Sequence, residues 1–143
     1  MQKITIHTDG GARNNPGPAG IGVVIQNEEG KVIGEISRFI GNQTNNFAEY
    51  EALIQGLLMA QEMFVGKTDD MEVEVMMDSE LVVKQCQGIY KVKEPTLKEK
   101  CGRVRAIRNE FFPRLTFTHV RREHNAHADK LVNAAVDAFL KRA

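Results

Sequence analysis

Four carboxylates stand out in the sequence because each lies at the end of a predicted strand or near the start of a predicted helix. Asp9 and Asp78 follow strand-like alternations, and Glu49 and Asp129 fall on the apolar stripes of helix-like segments. Ligands of open α/β sheets bind outside the carboxyl ends of the strands, so we expect the four side chains to converge. Clustered carboxylates repel one another and are costly to desolvate unless cations compensate their charge. The pattern therefore predicts a site for hard divalent cations, Mg²⁺ or Mn²⁺.

Each of these acids, taken singly, also has an ordinary structural explanation. Asp9 could be a turn residue and Asp78 an N-cap, while Glu49 and Asp129 could be favourable charges in the first turn of a helix. The joint occurrence of all four at facing ends of predicted elements favours the metal site over four separate explanations.

Two periodicities predict the elements that carry the acids. Alternation with a period of two predicts strands, at residues 3–9, 20–27, 31–40, 72–78 and 114–120. Apolar residues three or four positions apart predict helices, at residues 46–64, 79–87 and 126–141. A further helix is opened by a Thr96–Glu99 capping box and ended by Pro113. The order βββαβααβα predicts an α/β fold in which a five-stranded mixed sheet, three antiparallel and then parallel strands, is flanked by helices.

The composition is typical of one soluble domain covering residues 1–143. Of these residues 42% are apolar and 27% charged, and the sequence contains no run of about 18 apolar residues. The first residues lack the apolar run and cleavage site of a secretory signal, so we expect a cytoplasmic protein without membrane association. Cys86 and Cys101 form no Cys-x-x-Cys pair and are interpreted as reduced thiols.

A net charge of zero conceals a separation of acidic and basic residues along the chain. Residues 1–83 contain 5 Lys and Arg against 13 Asp and Glu, whereas residues 84–143 contain 14 against 6. One interpretation is that the basic residues are solvated faces of helices, and the other is a phosphate-binding surface beside an acidic site. The residues that cluster around two predicted helices and their connection are Lys84, Lys91, Lys93, Lys98, Lys100, Arg103 and Arg105.

Four blocks of the sequence together resemble type 1 ribonuclease H. They are Thr8 to Gly20, Thr44 to Glu49, Asp78-Ser79 and Ala128-Asp129, in the family's order and with a matching run of elements. The resemblance implies the ribonuclease H fold and hydrolysis of the RNA strand of RNA–DNA hybrids, leaving 5′-phosphate and 3′-hydroxyl ends. It also implies two divalent ions in the site. Asp9 would bridge them, Glu49 and Asp78 would bind one, and Asp129 would complete the other.

The resemblance also implies contacts with the substrate. Glycines let backbone amides approach a sugar-phosphate chain, and Asn side chains can bind 2′-hydroxyls, which distinguish RNA from DNA. A tight turn alone could also explain the first of these segments, and either Thr44 or Asn45 could cap the first helix. Lys91 and Lys93 are the basic residues that we expect along the DNA strand. The other expected substrate-binding residues are Gly10, Gly11, Asn14, Asn15, Thr44, Asn45 and Asn46.

The sequence departs from longer members of the family in three respects. It contains no Trp, so the Trp-containing basic protrusion is absent or altered, and we expect no separate hybrid-binding domain before Asp9. The family's loop His cannot be aligned, which leaves Arg122 and His124 as alternative auxiliary catalytic residues. Glu80 stands where longer members often have Gln. We expect a monomer that binds a hybrid duplex; a recombination nuclease and a catalytically inactive hybrid-binding module are the alternatives.

Overall fold

The computed structural model describes residues 2–142. The described chain contains five strands and four α-helices in the predicted order. The strands are β1 (Lys3–Ala12), β2 (Gly17–Gln26), β3 (Val32–Gln43), β4 (Glu72–Met77) and β5 (Leu115–His119). The helices are α1 (Asn45–Met63), α2 (Glu80–Cys86), α3 (Pro95–Phe111) and α4 (Ala126–Arg142), and short 3-10 turns occur at Thr68–Asp70 and Arg122–Asn125. None of the helices among residues 2–142 combines the length and the hydropathy that a membrane span requires.

The predicted mixed sheet is confirmed, with the strand order β3-β2-β1-β4-β5. β2 pairs antiparallel with both β1 and β3, whereas β4 pairs parallel with β1 and β5. The central strand β1 is therefore paired on both sides. Its pairing with β4 ends at His7 and Met76, while its pairing with β2 continues to Ala12 and Ala19.

The two faces of the sheet are covered by helices that approach it closely. A Cβ atom on Gly56 of α1 would lie 3.2–3.3 Å from side-chain carbons of Thr8, Ile6 and Val23. On the opposite face, a Cβ atom on Gly22 of β2 would lie 2.1 Å from the backbone oxygen of Ala128 in α4. Small residues at these contacts allow both helices to lie close against the centre of the sheet.

Three predicted details of the elements are wrong. β1 continues three residues beyond Asp9, because residues 10–12 still pair with β2, so Asp9 lies within the strand and not at its end. The cap of α3 is Glu94 and not Thr96: its carboxylate accepts from the N–H groups of Thr96 (3.1 Å) and Leu97 (2.9 Å). Pro95 occupies the first helical position, where no N–H is needed.

The spacing of Val132, Val136 and Leu140 after Asp129 predicts a buried stripe along the whole of α4, and the observed stripe is shorter. Val132 and Val136 are buried, but Leu140 is 41% exposed. The last turn of the helix instead presents Phe139 to β3, where its ring stacks on Phe39 with centroids 3.9 Å apart.

Candidate active site

Three of the four predicted acids meet at the carboxyl end of β4. Asp9 of β1, Glu49 of α1 and Asp78, directly after β4, each offer a carboxylate oxygen within 4.8 Å of the others. Asp9 and Glu49 are buried, and Asp78 is partly buried. The residues converge because β4 stops beside the middle of β1, and because the first turn of α1 lies over Gly10, whose N–H donates to Glu49 Oε1 at 2.7 Å.

Asp129 lies beside this cluster, in the first turn of α4. It lines the same cleft and lies close enough to Asp9 to raise the pKa of that carboxyl. Asn133, one turn later in α4, donates to Asp129 Oδ2 at 3.4 Å. The structure therefore brings all four predicted acids to one cleft, with Asp129 outside the tightest group of three.

Burial and mutual repulsion make this cluster reluctant to ionise. Burial, followed by the charge of Asp78, raises the pKa of Asp9 to about 8. Burial and then the charge of Asp9 also raise the pKa of Glu49 well above its ordinary value. The pKa of Asp78 is raised by burial, although Arg122, with its Nε 4.0 Å from Asp78 Oδ2, opposes this.

The ligand atoms and the charges around the cluster fit a divalent cation. All the converging atoms are carboxylate oxygens, the ligands that Mg²⁺ and Mn²⁺ prefer. The side chain of Arg122 is 84% exposed and is a weak counter-charge for buried acids. A cation between the acids would remove the repulsion that raises their pKa values, so the residues present fit the predicted metal.

The acids form the floor of a cleft of about 520 Å³. The cleft is open and mostly polar, as a site for a charged, extended ligand would be. Its walls come from the β1–β2 end of the sheet, from the start of α1 and from α4. Besides the four acids, the lining residues include Gly10, Gly11, Arg13, Asn45, Asn46, Arg122 and Asn133.

The Asn-rich segments at the rim are tied to each other by side-chain amides. Asn15 Oδ1 accepts from Asn45 N–H at 2.9 Å, and Asn45 Oδ1 accepts from Ala12 N–H at 2.8 Å. Thr44 is the cap of α1, because its hydroxyl accepts from Phe47 N–H at 3.2 Å. Asn14 is exposed and has a φ of 66°, a left-handed conformation that Asn tolerates better than most residues. The β1–β2 loop and the start of α1 thus form one connected rim.

The two auxiliary candidates occupy different places. Arg122 lines the cleft beside Asp78. His124 lines a separate hollow, together with His7 and His127, beside the turn that precedes α4. His127 itself pairs with Glu35 of β3. Arg122 is therefore the auxiliary candidate that the structure brings to the acids.

The basic residues that the sequence predicts as one surface also occupy different places in the structure. Lys91 and Lys93 are exposed in the connection between α2 and α3, outside the lining of the cleft. The ammonium group of Lys100 instead lies 2.8 Å from Glu51 and 4.1 Å from the centroid of the Phe47 ring. Burial tends to raise the pKa of Glu51, but the hydrogen bonds from Lys100 and Gln55 outweigh it and lower that pKa. Lys100 therefore joins α3 to α1.

Sequence reasoning missed three residues that belong to the site. Arg13 and Asn133 line the cleft, and Arg13 also pairs with Asp137 of α4 at 2.6 Å. Buried Asn125 connects the start of α4 to β1. The position of Asn133, one helical turn after Asp129, was a signal that could have identified it.

Comparisons with known proteins identify the family. A family profile described as reverse transcriptase-like matches residues 7–135. The ribonuclease H of Erythrobacter litoralis is 32% identical over 152 aligned positions, covering 96% of this chain and 98% of the relative. The chain belongs to the ribonuclease H family.

Solved structures place it among the type 1 ribonucleases H. LC11-RNase H1, isolated from compost by a metagenomic approach, has a TM-score of 0.93 and 61% identity, covering 98% of this chain and 99% of that one. LC11-RNase H1 has also been solved in complex with an RNA/DNA hybrid, with a TM-score of 0.92, 60% identity and coverage of 96% and 99%.

One group of ribonuclease H relatives is much longer. The bifunctional protein Rv2228c of Mycobacterium tuberculosis is 42% identical over 142 residues, which are 99% of this chain but 37% of the relative. The chain thus spans little more than a third of that relative's length.

Proposed function

We propose that this protein is a divalent-metal-dependent endonuclease that hydrolyses the RNA strand of RNA–DNA hybrids and leaves 5′-phosphate and 3′-hydroxyl ends. The observation that carries the proposal is the meeting of Asp9, Glu49 and Asp78 within 4.8 Å, beside Asp129 and an Asn-rich rim. The likeness to LC11-RNase H1, which binds an RNA/DNA hybrid, supports the choice of substrate.

The four acids would hold two Mg²⁺ or Mn²⁺ ions. When bound, such a pair would lower the pKa of the attacking water and stabilise the departing 3′-oxygen. The hydrogen bond from Gly10 N–H fixes one carboxylate oxygen of Glu49. The other oxygen would be available to bind a cation. Arg122 is placed to attract the scissile phosphate toward the acids, because its side chain is cationic, exposed and beside Asp78.

The rim would bind the RNA strand. The oxygen atoms of Asn15 and Asn45 already accept backbone hydrogen bonds, so contacts of these two side chains with 2′-hydroxyls would come from their NH₂ groups. Asn46 lines the cleft at the start of α1, and Thr44 caps that helix, whose N-terminus attracts phosphate. Gly11 would let the RNA backbone approach this end of the sheet, whereas Gly10 is required by the packing of α1, because a Cβ atom there would lie 2.2 Å from the Ala48 backbone. Asn14 stands exposed at the loop tip.

The exposed lysines would bind the other strand. Lys91 and Lys93 are exposed in the connection between α2 and α3, where their ammonium groups would contact phosphates of the DNA strand. We further propose that residues 1–143 act as one catalytic domain, as a monomer in the cytoplasm. Sedimentation of the purified chain, alone and with a short hybrid, tests the oligomeric state.

The function is tested by offering one sequence as hybrid, duplex DNA, duplex RNA and single strands, with Mg²⁺ and then Mn²⁺. The hybrid should be cut fastest, and only in its RNA strand. Asp78→Asn should abolish cutting while keeping the fold, and without metal it should be at least as stable as wild type because a repulsion is removed. Asp70→Asn, an exposed acid outside the cleft lining, is the matched control and should cut normally.

Other outcomes would favour the alternatives. Equal cutting of hybrid and duplex DNA would indicate a recombination nuclease. Tight hybrid binding without cutting in either metal would indicate a binding module. A large loss of metal-free melting temperature in Asp78→Asn would show that Asp78 is structural.

The proposed DNA-strand contact has its own test, because phosphate contacts release counterions and make binding fall steeply with salt. Replacing Lys91 and Lys93 together with Ala should weaken hybrid binding and make log Kd less dependent on log salt by a slope of about 1–2. Lys31 and Lys67, exposed lysines of the acidic part of the chain, provide the matched double variant. An unchanged slope in the Lys91, Lys93 variant would show that the strand follows another path.

A further inference from the structure

Asn125 is a buried side chain that joins the two elements carrying Asp9 and Asp129. It is 1% exposed and is the last residue of the 3-10 turn before α4. Its Nδ2 donates to the backbone oxygen of Thr8 at 2.9 Å, and its Oδ1 lies 3.2 Å from His7 Nδ1. Because the NH₂ group faces the carbonyl, Oδ1 faces the ring, and His7 Nδ1 is the donor. The two residues that directly precede Asp9 therefore hold both ends of this amide.

The contact lies where β1 and β4 stop pairing. Their last paired residues are His7 and Met76, so the Thr8 carbonyl lies beyond the parallel ladder. A buried carbonyl without a donor would cost free energy, and Asn125 supplies the donor from another element. The start of α4 is thereby fixed to the point on β1 that adjoins the acids.

The packing of α4 on the glycines of β2 sets the distance of the helix from the sheet more firmly than its position along the sheet. Cβ atoms on Gly22 and Gly20 would lie 2.1 Å and 3.1 Å from the backbone oxygens of Ala128 and Val132. Packing of a helix backbone against glycines permits a short separation. It provides few side-chain ridges that would oppose sliding or rotation of the helix.

Repulsion within the acid cluster acts on this helix. Asp129 follows Asn125 by about one helical turn. The nearby carboxylate of Asp78 repels it, and its contact with Asn133 is long, at 3.4 Å. A polar anchor at the helix start would oppose the outward movement that this repulsion favours.

We propose that Asn125, oriented by His7, is a positioning residue that holds Asp129 beside Asp9 and so fixes the geometry of the cation site. The inference depends on the proposed function only in assigning Asp129 as a metal ligand. His7 and Asn125 act through the acids and do not touch the substrate.

The test compares Asn125→Ala with Ser37→Ala in the full chain. Ser37 Oγ donates to the Leu131 backbone oxygen at 2.7 Å, so Ser37→Ala removes a different polar tie of the same helix. In Asn125→Ala, Mn²⁺ affinity measured by calorimetry and kcat on a hybrid should each fall by about 10–100-fold. KM should be unchanged because the substrate contacts lie elsewhere, and Ser37→Ala should keep wild-type Mn²⁺ affinity and kcat.

His7 variants keep the proposal testable if Asn125→Ala does not fold. His7→Phe removes the ring donor but leaves the Thr8 contact, so it should weaken Mn²⁺ binding in the same direction and less strongly. His7→Gln, which offers an amide donor, should restore it. Equal Mn²⁺ affinity in Asn125→Ala and Ser37→Ala, or wild-type affinity in His7→Phe, would overturn the proposal.

The same measurements separate this inference from the proposed function. If the wild-type protein binds Mn²⁺ but does not cut hybrids, the proposed nuclease function is wrong. The positioning role of Asn125 is still tested by comparing the Mn²⁺ affinities of the variants. A wild-type protein that binds no Mn²⁺ would refute both.

Discussion

α1 and α4 each deliver a carboxylate to the cleft from opposite faces of the sheet, but they are held there differently. α1 buries nine residues against the sheet and its neighbours, including Tyr50, Leu53 and Leu57, whereas α4 buries Ala128, Val132 and Val136. Polar contacts supplement the smaller apolar interface of α4: Asn125 with β1, Ser37 with Leu131, His127 with Glu35, and Arg13 with Asp137. Glu49 therefore belongs to the rigid core, while Asp129 belongs to the element whose position is easier to change.

The largest expected effect tests how closely α4 must approach the sheet. In Gly22→Ala the new methyl group would overlap the Ala128 backbone oxygen, 2.1 Å away, so the helix must move outward. We expect the free energy of unfolding to fall by about 3 kcal/mol or more, measured by urea denaturation. Gly102→Ala, on an exposed face of α3 with open space around it, should instead stabilise the protein by about 1 kcal/mol. An unchanged free energy of unfolding in Gly22→Ala would mean that α4 can move away from the sheet without loss of stability.

A second prediction uses pH to increase the negative charge of the acid cluster in the metal-free protein. The pKa of Asp9 is raised from 3.8 to about 8, so between these pH values the folded state binds a proton that the unfolded state releases. The free energy of unfolding should therefore fall as pH rises through this window, by at most about 1.4 kcal/mol per pH unit, and then level off. Urea denaturation with a chelator measures it.

Two controls sharpen the pH prediction. Asp9→Asn should reduce the pH dependence but not abolish it, because burial also raises the pKa values of Glu49 and Asp78. Mg²⁺ added at pH 8 should restore stability to the wild type. Protection from amide hydrogen exchange, corrected for the pH dependence of the intrinsic rate, should fall with pH at the start of α4 and not in α1, because α4 is the helix that can move to relieve the repulsion. Equal changes in both helices would contradict the difference between them.

The smallest expected effect compares one ion pair on each helix. Lys100 and Glu51 join α3 to α1 with side chains 14% and 19% exposed, whereas Arg13 and Asp137 tie the β1–β2 end to α4 with side chains 41% and 53% exposed. Lys100→Ala should cost about 1.5–3 kcal/mol, since a charge-assisted bond and the contact with Phe47 are lost. Arg13→Ala should cost less than about 1 kcal/mol. Thermal and urea unfolding of the two variants would measure the difference, and equal costs would contradict it.

Much of the fold was predictable from the sequence because its signals are periodic. The alternation of Val73, Val75 and Met77 and the helical spacing of Leu53, Ile54 and Leu57 identify elements that the core then buries. The order of strands and helices was sufficient to predict the mixed sheet. The acids were found because each follows, or falls on, the apolar pattern of a predicted element.

The remaining features depend on contacts between distant residues. Whether Glu94 or Thr96 caps α3 depends on where Pro95 places the first turn, and the extension of β1 past Asp9 depends on pairing with β2. Nothing local distinguishes Lys100, bound to Glu51, from the exposed lysines near it. The role of Asn125 requires a partner 117 positions away in the chain.

The connection between α2 and α3 offers a natural place for inserting new sequence. Gly88, with a φ of 80°, ends α2, and the N–H groups of Ile89 and Tyr90 both donate to the Lys84 carbonyl, so the segment is anchored where it leaves the helix. Its residues are largely exposed, and none lines the cleft. Added length between Lys91 and Glu94 would therefore extend into solvent without moving the acids. Sequence added here, by evolution or by design, could therefore enlarge the substrate-binding surface without changing the catalytic site.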